Sequence, residues 1–239
     1  MSKAVELGLE VKSLPFRLNA ANVFTNQGLI KDAVLIDCAW ANGFLHNSET
    51  HIVQAIDRIS TIQALDDSGL KKYVGLGTAH EYGYNRGKVS ELDEALPESN
   101  YGEAKLMILK YLDSGLSSLD WLWLRCFHFF GKDELNNSIF TKILSTVNAG
   151  GTNFTLTGAS AEFDFSEIEV ASKDILELAG NINATGLVNY GSGEALSLKA
   201  AVASFCATRG LKIDLSVIEN ESIGTFPSVD LLREVRRRQ

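Results

Sequence analysis

Tyr73-Val74-Gly75-Leu76-Gly77-Thr78-Ala79-His80-Glu81-Tyr82-Gly83, followed after a polar stretch by Tyr101-Gly102-Glu103-Ala104-Lys105, is the part of the chain whose reading decides the fold. Lys72–Gly77 is an apolar run of strand length that delivers a hydroxyl, Thr78, at its end. Downstream, Ala104, Met107, Ile108, Tyr111 and Leu112 recur at helical spacing, so Tyr101 and Lys105 open an amphipathic helix and, four apart, share one face of it. A phenol with a pKa of ~10 is a poor base at neutral pH, and a fixed cation nearby lowers that value by roughly 1–3 units. Lys105 is therefore expected to tune Tyr101, with Thr78 holding a substrate oxygen against the phenol as part of a proton-transfer site. Taken alone, a Tyr-x-x-x-Lys spacing is equally ordinary helix surface.

Outward from this stretch the pattern alternates between strand and helix. Ala33–Ile36 reads as a buried parallel strand ending in a loop at Asp37-Cys38-Ala39-Trp40. A helix is expected from Ser48, as N-cap, to Ser68, with Ile52, Ala55, Ile56, Ile59 and Ile62 on one face and Gly69 as its stop. His46 and His51 flank its start and read as surface or cap residues, without a third ligand at metal spacing. Leu119–Phe127 is another run apolar on both faces. Strands and helices in this order predict an α/β, Rossmann-like doubly wound parallel sheet, with functional residues at the carboxyl ends of the strands.

Beyond Gly131 the reading expects a helix near Asn137–Asn148, a strand at Asn153–Leu156, the segment Glu162–Ala171, a strand at Gly186–Tyr190, a turn at Gly191-Ser192-Gly193, and a helix capped by Ser197 running through Ala207. Residues 1–131 are read as a cofactor-binding part and residues 132–239 as a smaller, intimately packed substrate lobe. At the start of the chain, Ala4–Gly8 could end a helix, Leu9–Leu14 form a strand, and Pro15 begin a loop. No Gly-x-Gly-x-x-Gly turn appears there. The pairs Gly75/Gly77 and Gly191/Gly193 lack the strand-turn-helix context that brings a helix N-terminus to a pyrophosphate.

Composition narrows the classes. The chain has 239 residues, 45% of them hydrophobic, and can bury a sizeable core. A net charge of −8, from 22 basic and 30 acidic residues, argues against nucleic acid as a partner. Arg236-Arg237-Arg238 reads as a solvated tail. Cys38, Cys126 and Cys206 are far apart in apolar surroundings and read as reduced core thiols in a cytoplasm. No signal peptide or membrane-length apolar span is present, so no membrane is expected.

The segments at 73–83 and 101–105, with Leu124-Arg125-Cys126-Phe127-His128-Phe129-Phe130-Gly131 and Val188-Asn189-Tyr190-Gly191-Ser192-Gly193-Glu194, match in order and spacing a known family. The chain resembles the extended short-chain dehydrogenase/reductases, the NAD(P)-dependent epimerases and dehydratases of nucleotide sugars, over roughly residues 32–203. That resemblance implies NAD or NADP as cofactor and a nucleotide-sugar substrate. It gives Thr78 the Ser/Thr position of the triad, Tyr101 the general acid/base, and Lys105 the contact to the nicotinamide ribose. It makes Ala39 and Trp40 cofactor-lining, and His80 and His128 substrate-binding. It implies a homodimer paired through the Ser48–Ser68 and Tyr101–Leu112 helices. Aligned this way, Met1 falls inside the family's first helix, so the first strand and phosphate loop are expected to be missing and cofactor affinity weak.

The chain also departs from the family. Glu162-Phe163-Asp164-Phe165 has no arginine where relatives carry one near the nucleotide phosphates, and His128 stands where asparagine is usual. Where dehydratases place Asp-Glu after the catalytic threonine, this chain has Ala79 and His80, so elimination is not expected. Three functions stay open. They are an epimerase or ketoreductase of a nucleotide-activated sugar, a non-catalytic relative that binds nucleotide-sugar or a partner, and a reductase of a non-sugar carbonyl compound.

Overall fold

The computed structural model describes residues 10–131 and 138–238. In chain order it contains β1 (Val34–Asp37), α1 (Thr50–Asp67), β2 (Lys72–Thr78), β3 (Gly87–Val89), α2 (Asn100–Asp113), β4 (Asp120–Cys126) and β5 (His128–Phe130). Then follow α3 (Ile139–Asn148), β6 (Asn153–Thr157), β7 (Glu162–Glu167), α4 (Ile168–Gly180), β8 (Gly186–Tyr190), β9 (Ala195–Ser197), α5 (Leu198–Thr208), β10 (Asp214–Ile218), β11 (Gly224–Pro227) and α6 (Asp230–Arg237).

The organising layer is a parallel sheet in the order β1-β2-β4-β8, with Thr78 paired to Cys126 and Cys126 to Tyr190 at its carboxyl edge. Both faces are covered, which is why β2 and β4 are apolar throughout rather than alternating. Tyr73 and Trp123 point to the face packed by α1 and α2, together with Ala55, Ile62, Leu65, Ile108 and Leu112. Val74, Leu122, Leu124 and Val188 point to the other, against Ala171, Ile175 and Leu178 of α4 and Leu232 and Val235 of α6. Burying each such large side chain contributes about 1.5–3 kcal/mol. Lys72 is buried where β2 begins, and its ammonium donates to the carbonyls of Leu178 (3.3 Å) and Asn181 (2.8 Å), placing a cation at the carboxyl end of α4.

A second sheet, β3-β11-β7-β5 with β9 antiparallel to β7, lies beside the first. The parallel pair β6 and β10 packs with α3 and α5 around Phe140, Ile143, Leu156, Val202 and Phe205. The two sheets draw on both halves of the chain: β8, α4 and α6 complete the first layer, while β3 joins the second.

Several sequence-based expectations change. Ser48 does not cap α1. Its Oγ lies 2.8 Å from Thr50 Oγ1, and the capping position is Glu49, without a side-chain bond. Gly69 does end that helix, at φ +76°, a conformation that suits glycine. Glu10–Leu14 is not a strand, while Leu9 and the helix end at Ala4–Gly8 lie outside the described residues. After Pro15 the chain makes short helical turns at Ala20–Val23 and Gln27–Ile30, the first capped by Asn19. The expected helix start at Asn137 also lies outside; α3 begins at Ile139, capped by Ser138. Arg236 and Arg237 belong to α6 rather than to a tail, and Arg236 pairs with Asp174 at 2.5 Å. Cys38 is exposed, whereas Cys126 and Cys206 are buried. His51 is fully buried rather than on the surface.

Candidate active site

Thr78 ends β2 with extended backbone and starts a tight helical turn at Ala79–Glu81. The turn is locked reciprocally: Thr78 Oγ1 accepts from the His80 N–H at 3.3 Å, and Glu81 Oε1 accepts from the Thr78 N–H at 2.9 Å. Glu81 is itself fixed. Its carboxylate accepts from Trp123 Nε1 (3.0 Å) and from Arg125 Nε (2.7 Å), both on β4. The backbone of Thr78 is thus anchored by a buried ion pair that ties the turn after β2 to β4.

Tyr101 arrives from the other side. Ser99 caps α2 by accepting from the Gly102 N–H, and the Tyr101 N–H donates to the His46 carbonyl at 2.9 Å. A Cβ on Gly102 would stand 2.3 Å from the His80 carbonyl oxygen, so glycine is what lets the helix start press against the Thr78 turn. The Thr78 and Tyr101 side chains thereby face the same cavity. One turn on, Lys105 Nζ donates to the Leu76 carbonyl at 2.8 Å and lies 4.0 Å from the centre of the Trp40 ring and 5.9 Å from that of Tyr101.

The electrostatics differ from the sequence-based expectation. Burial pushes the Tyr101 phenol up to about 12, and the neighbouring Thr78 hydroxyl only partly opposes it. Burial likewise brings Lys105 down to about 8, against the pull of Asp37 and Glu81. The phenol is therefore a protonated donor at neutral pH, and the lowering expected from Lys105 is absent because that ammonium is directed to a backbone carbonyl and an indole face.

All four histidines of the chain lie in this region. His46 stacks on Tyr101 with ring centres 5.8 Å apart and meets His80 edge-on at 4.2 Å. His51 lies behind Tyr101 at 5.3 Å; its Nδ1 accepts from Trp40 Nε1 and its Nε2 faces the Leu45 carbonyl, so the tautomer protonated on Nε2 satisfies both. His128 meets Phe163 edge-on and lies tilted against Phe165. Burial pushes His80 down to about 3 and His128 to about 4, and lowers His46 as well, so these imidazoles are neutral.

These groups surround a cavity of about 890 Å³ over the carboxyl ends of β1, β2 and β4. Of the site residues read from the sequence, Thr78, His80, Tyr101, Lys105, Trp40 and His128 line it. Ala39 does not. Its N–H donates to Asp37 Oδ1 and its carbonyl accepts from Arg58. Sequence reasoning missed Glu81, which fixes Thr78 and whose Thr-x-x-Glu spacing is a capping-box signal, and His46, which it set on the surface and which carries no such signal. A nicotinamide ribose fits the donor set at this end of the cavity, where the Tyr101 hydroxyl and Lys105 ammonium lie beside the Trp40 face. No glycine-rich turn opening a helix faces the cavity among the described residues.

Comparison with known proteins identifies the family and the fold. The profile of the NAD dependent epimerase/dehydratase family matches residues 33–171. The dTDP-6-deoxy-L-talose 4-dehydrogenase (NAD(+)) of Aggregatibacter actinomycetemcomitans is 32% identical over 182 residues, 75% of this chain and 67% of that protein. Among solved structures, the UDP-N-acetylglucosamine 4-epimerase from Bacillus cereus superposes with a TM-score of 0.77 at 20% identity, over 98% of this chain and 86% of the other. MoeE5, solved in complex with UDP-glucuronic acid and NAD, gives a TM-score of 0.74 at 19% identity, over 98% and 86%. At these identities the two structures speak for the fold, a Rossmann-like parallel sheet. The profile covers more than half of the chain, and with the relative from A. actinomycetemcomitans it places this protein: the chain belongs to the NAD dependent epimerase/dehydratase family.

Proposed function

We propose that the chain is an NAD-dependent oxidoreductase that interconverts a hydroxyl and a ketone on a nucleotide-activated sugar, as a ketoreductase or as an epimerase passing through the ketone. The observation that carries this reading is the convergence of Thr78, Tyr101 and Lys105 on the wall of one cavity, with Lys105 one helical turn from Tyr101. The NAD(+)-dependent 4-dehydrogenase of a dTDP-sugar among its relatives supports the choice of cofactor and substrate class.

A bound nicotinamide supplies the hydride in reduction and accepts it in oxidation. Lys105 and Trp40 would hold its ribose. In the reductive direction Tyr101 gives its phenolic proton to the ketone oxygen, and Thr78 Oγ1 holds that oxygen in line. In oxidation the proton returns from the sugar hydroxyl to Tyr101. Removing water across the ring would need a further acid and base beside Thr78. Ala79 can transfer no proton, and burial holds the His80 imidazole neutral far below neutral pH, so elimination is not supported. The working form is a homodimer joined through α1 and α2, where Val53 and Ile56 are exposed on α1.

The test is turnover. Purified chain, NADH and a dTDP-linked 4-keto sugar should give loss of nicotinamide absorbance, and Tyr101→Phe should cost about 10²–10⁴-fold in kcat with the fold retained. A folded Tyr101→Phe variant with unchanged turnover would remove the assignment.

A further inference from the structure

We infer that the sugar enclosed in this cavity is uncharged, with a methyl or hydroxymethyl group at C6 and not a carboxylate. The inference rests on the proposed function above and names the class of sugar it serves. Among the described residues, three charged side chains line the cavity: Asp37, Glu98 and Lys105. Two are anions, which repel a carboxylate, and the one cation among them is already engaged. Asp37 pairs with Arg58 Nε at 2.9 Å and accepts from the Tyr73 hydroxyl at 2.6 Å. Glu98 accepts from the Tyr84 N–H at 2.8 Å. Lys105 is directed to the Leu76 carbonyl and the Trp40 face. No arginine lines the cavity among the described residues.

The histidines do not replace the missing cation, because burial keeps His80 and His128 neutral. A neutral imidazole offers one donor and one acceptor, a pattern that suits sugar hydroxyls and not a carboxylate. The far wall is apolar, with Phe129 beside Tyr190 and with Phe163 and Phe165 around His128. A C6 carboxylate here would lose its water without gaining a counter-ion, at a cost of several kcal/mol. A methyl or hydroxymethyl group meets the aromatic wall without that penalty, and the sugar's diphosphate remains toward the solvent-open mouth.

Calorimetric titration tests this with the full chain loaded with NAD⁺, using UDP-glucose, UDP-glucuronate and UDP, and repeating the set with the thymidine nucleotides. In at least one series the glucose nucleotide should bind tenfold or more tightly than the glucuronate nucleotide, and the glucuronate nucleotide no more tightly than the bare nucleotide. Glucuronate nucleotide binding as tightly as the glucose form would overturn the inference while leaving the proposed function standing. Glucose nucleotides binding no better than bare nucleotide in both series would instead overturn the proposed function, and the inference with it.

Discussion

Replacing Glu81 by leucine should be among the most damaging single changes outside the reacting groups themselves. Glu81 and Arg125 are an ion pair at 2.7 Å with side chains 0% and 3% exposed, and Glu81 also accepts from the Thr78 N–H and Trp123 Nε1. Removing the carboxylate strands a buried guanidinium whose Nη1 already lacks a hydrogen-bond partner. Breaking such a pair from one side costs about 3–5 kcal/mol. For a chain of this size each kcal/mol moves Tm by roughly 2–4 °C, so Glu81→Leu should lower Tm by about 6–20 °C. Circular dichroism during heating, with urea titration for ΔG, measures this. The double variant Glu81→Leu, Arg125→Met should recover much of the loss, because removing both charges leaves neither unpaired. A single variant within about 1 kcal/mol of the parent, or a double variant no more stable than the single, would refute the assignment of Glu81–Arg125 as the brace beneath Thr78.

Gly102→Ala should lower both Tm and kcat, since its Cβ would press on the His80 carbonyl at 2.3 Å and push the Tyr101 turn away from Thr78; unchanged kinetics would show that this close approach is dispensable. His128 carries a pH prediction. With its folded pKa pushed down to about 4 from an ordinary 6.5, the unfolded chain binds the extra proton between those values, so stability contributed by the neutral imidazole is present above pH 6.5 and is lost as pH falls toward 4. His128→Phe should flatten the acid limb of urea-unfolding stability across that window by up to ~1.4 kcal/mol per pH unit. Light scattering at micromolar concentration should report a dimer, and a Val53→Glu, Ile56→Glu double variant should shift it to monomer without unfolding the chain.

The parallel sheet was legible because β2 and β4 are long enough, and apolar enough on both faces, to stand out from any amphipathic alternative. The second sheet was not. β3, β5, β9 and β11 have three or four residues each, and Gly224-Thr225-Phe226-Pro227 has no hydrophobic period to read; such strands exist because Thr225 finds a register against Gly87 on one side and Phe163 on the other. The same distinction holds at the site. Thr78, Tyr101 and Lys105 sit on regular elements at fixed spacing and could be placed from sequence. His46 reaches Tyr101 from an irregular loop, held by the Tyr101 N–H and by Asn100 Nδ2 donating to the Asn47 carbonyl, and contacts of that kind exist only in three dimensions.

The protonation of Tyr101 bears directly on the proposed reaction. Tyr101 and Lys105 are four positions apart, and helical geometry does put them on one face, so the expectation of an acidified phenol was sound in its premise. It fails on two counts that only packing decides. Lys105 is buried among apolar neighbours, which lowers its own affinity for a proton to about 8, and its ammonium is satisfied by the Leu76 carbonyl instead of the phenol. Tyr101 is buried too, which opposes phenolate and takes its pKa to about 12. A phenol in that state is a ready donor to a ketone oxygen and a weak acceptor from an alcohol. In the proposed reaction, reduction should therefore proceed across the neutral range with little dependence on Tyr101 ionisation, whereas oxidation should accelerate as pH rises toward the phenol's value. Measuring kcat/KM in both directions between pH 6 and 10 would show the divergence as a rising oxidative limb over a flat reductive one; an oxidative rate already level at neutral pH would mean that the phenol ionises far more easily than its burial allows, and that Lys105 reaches it after all.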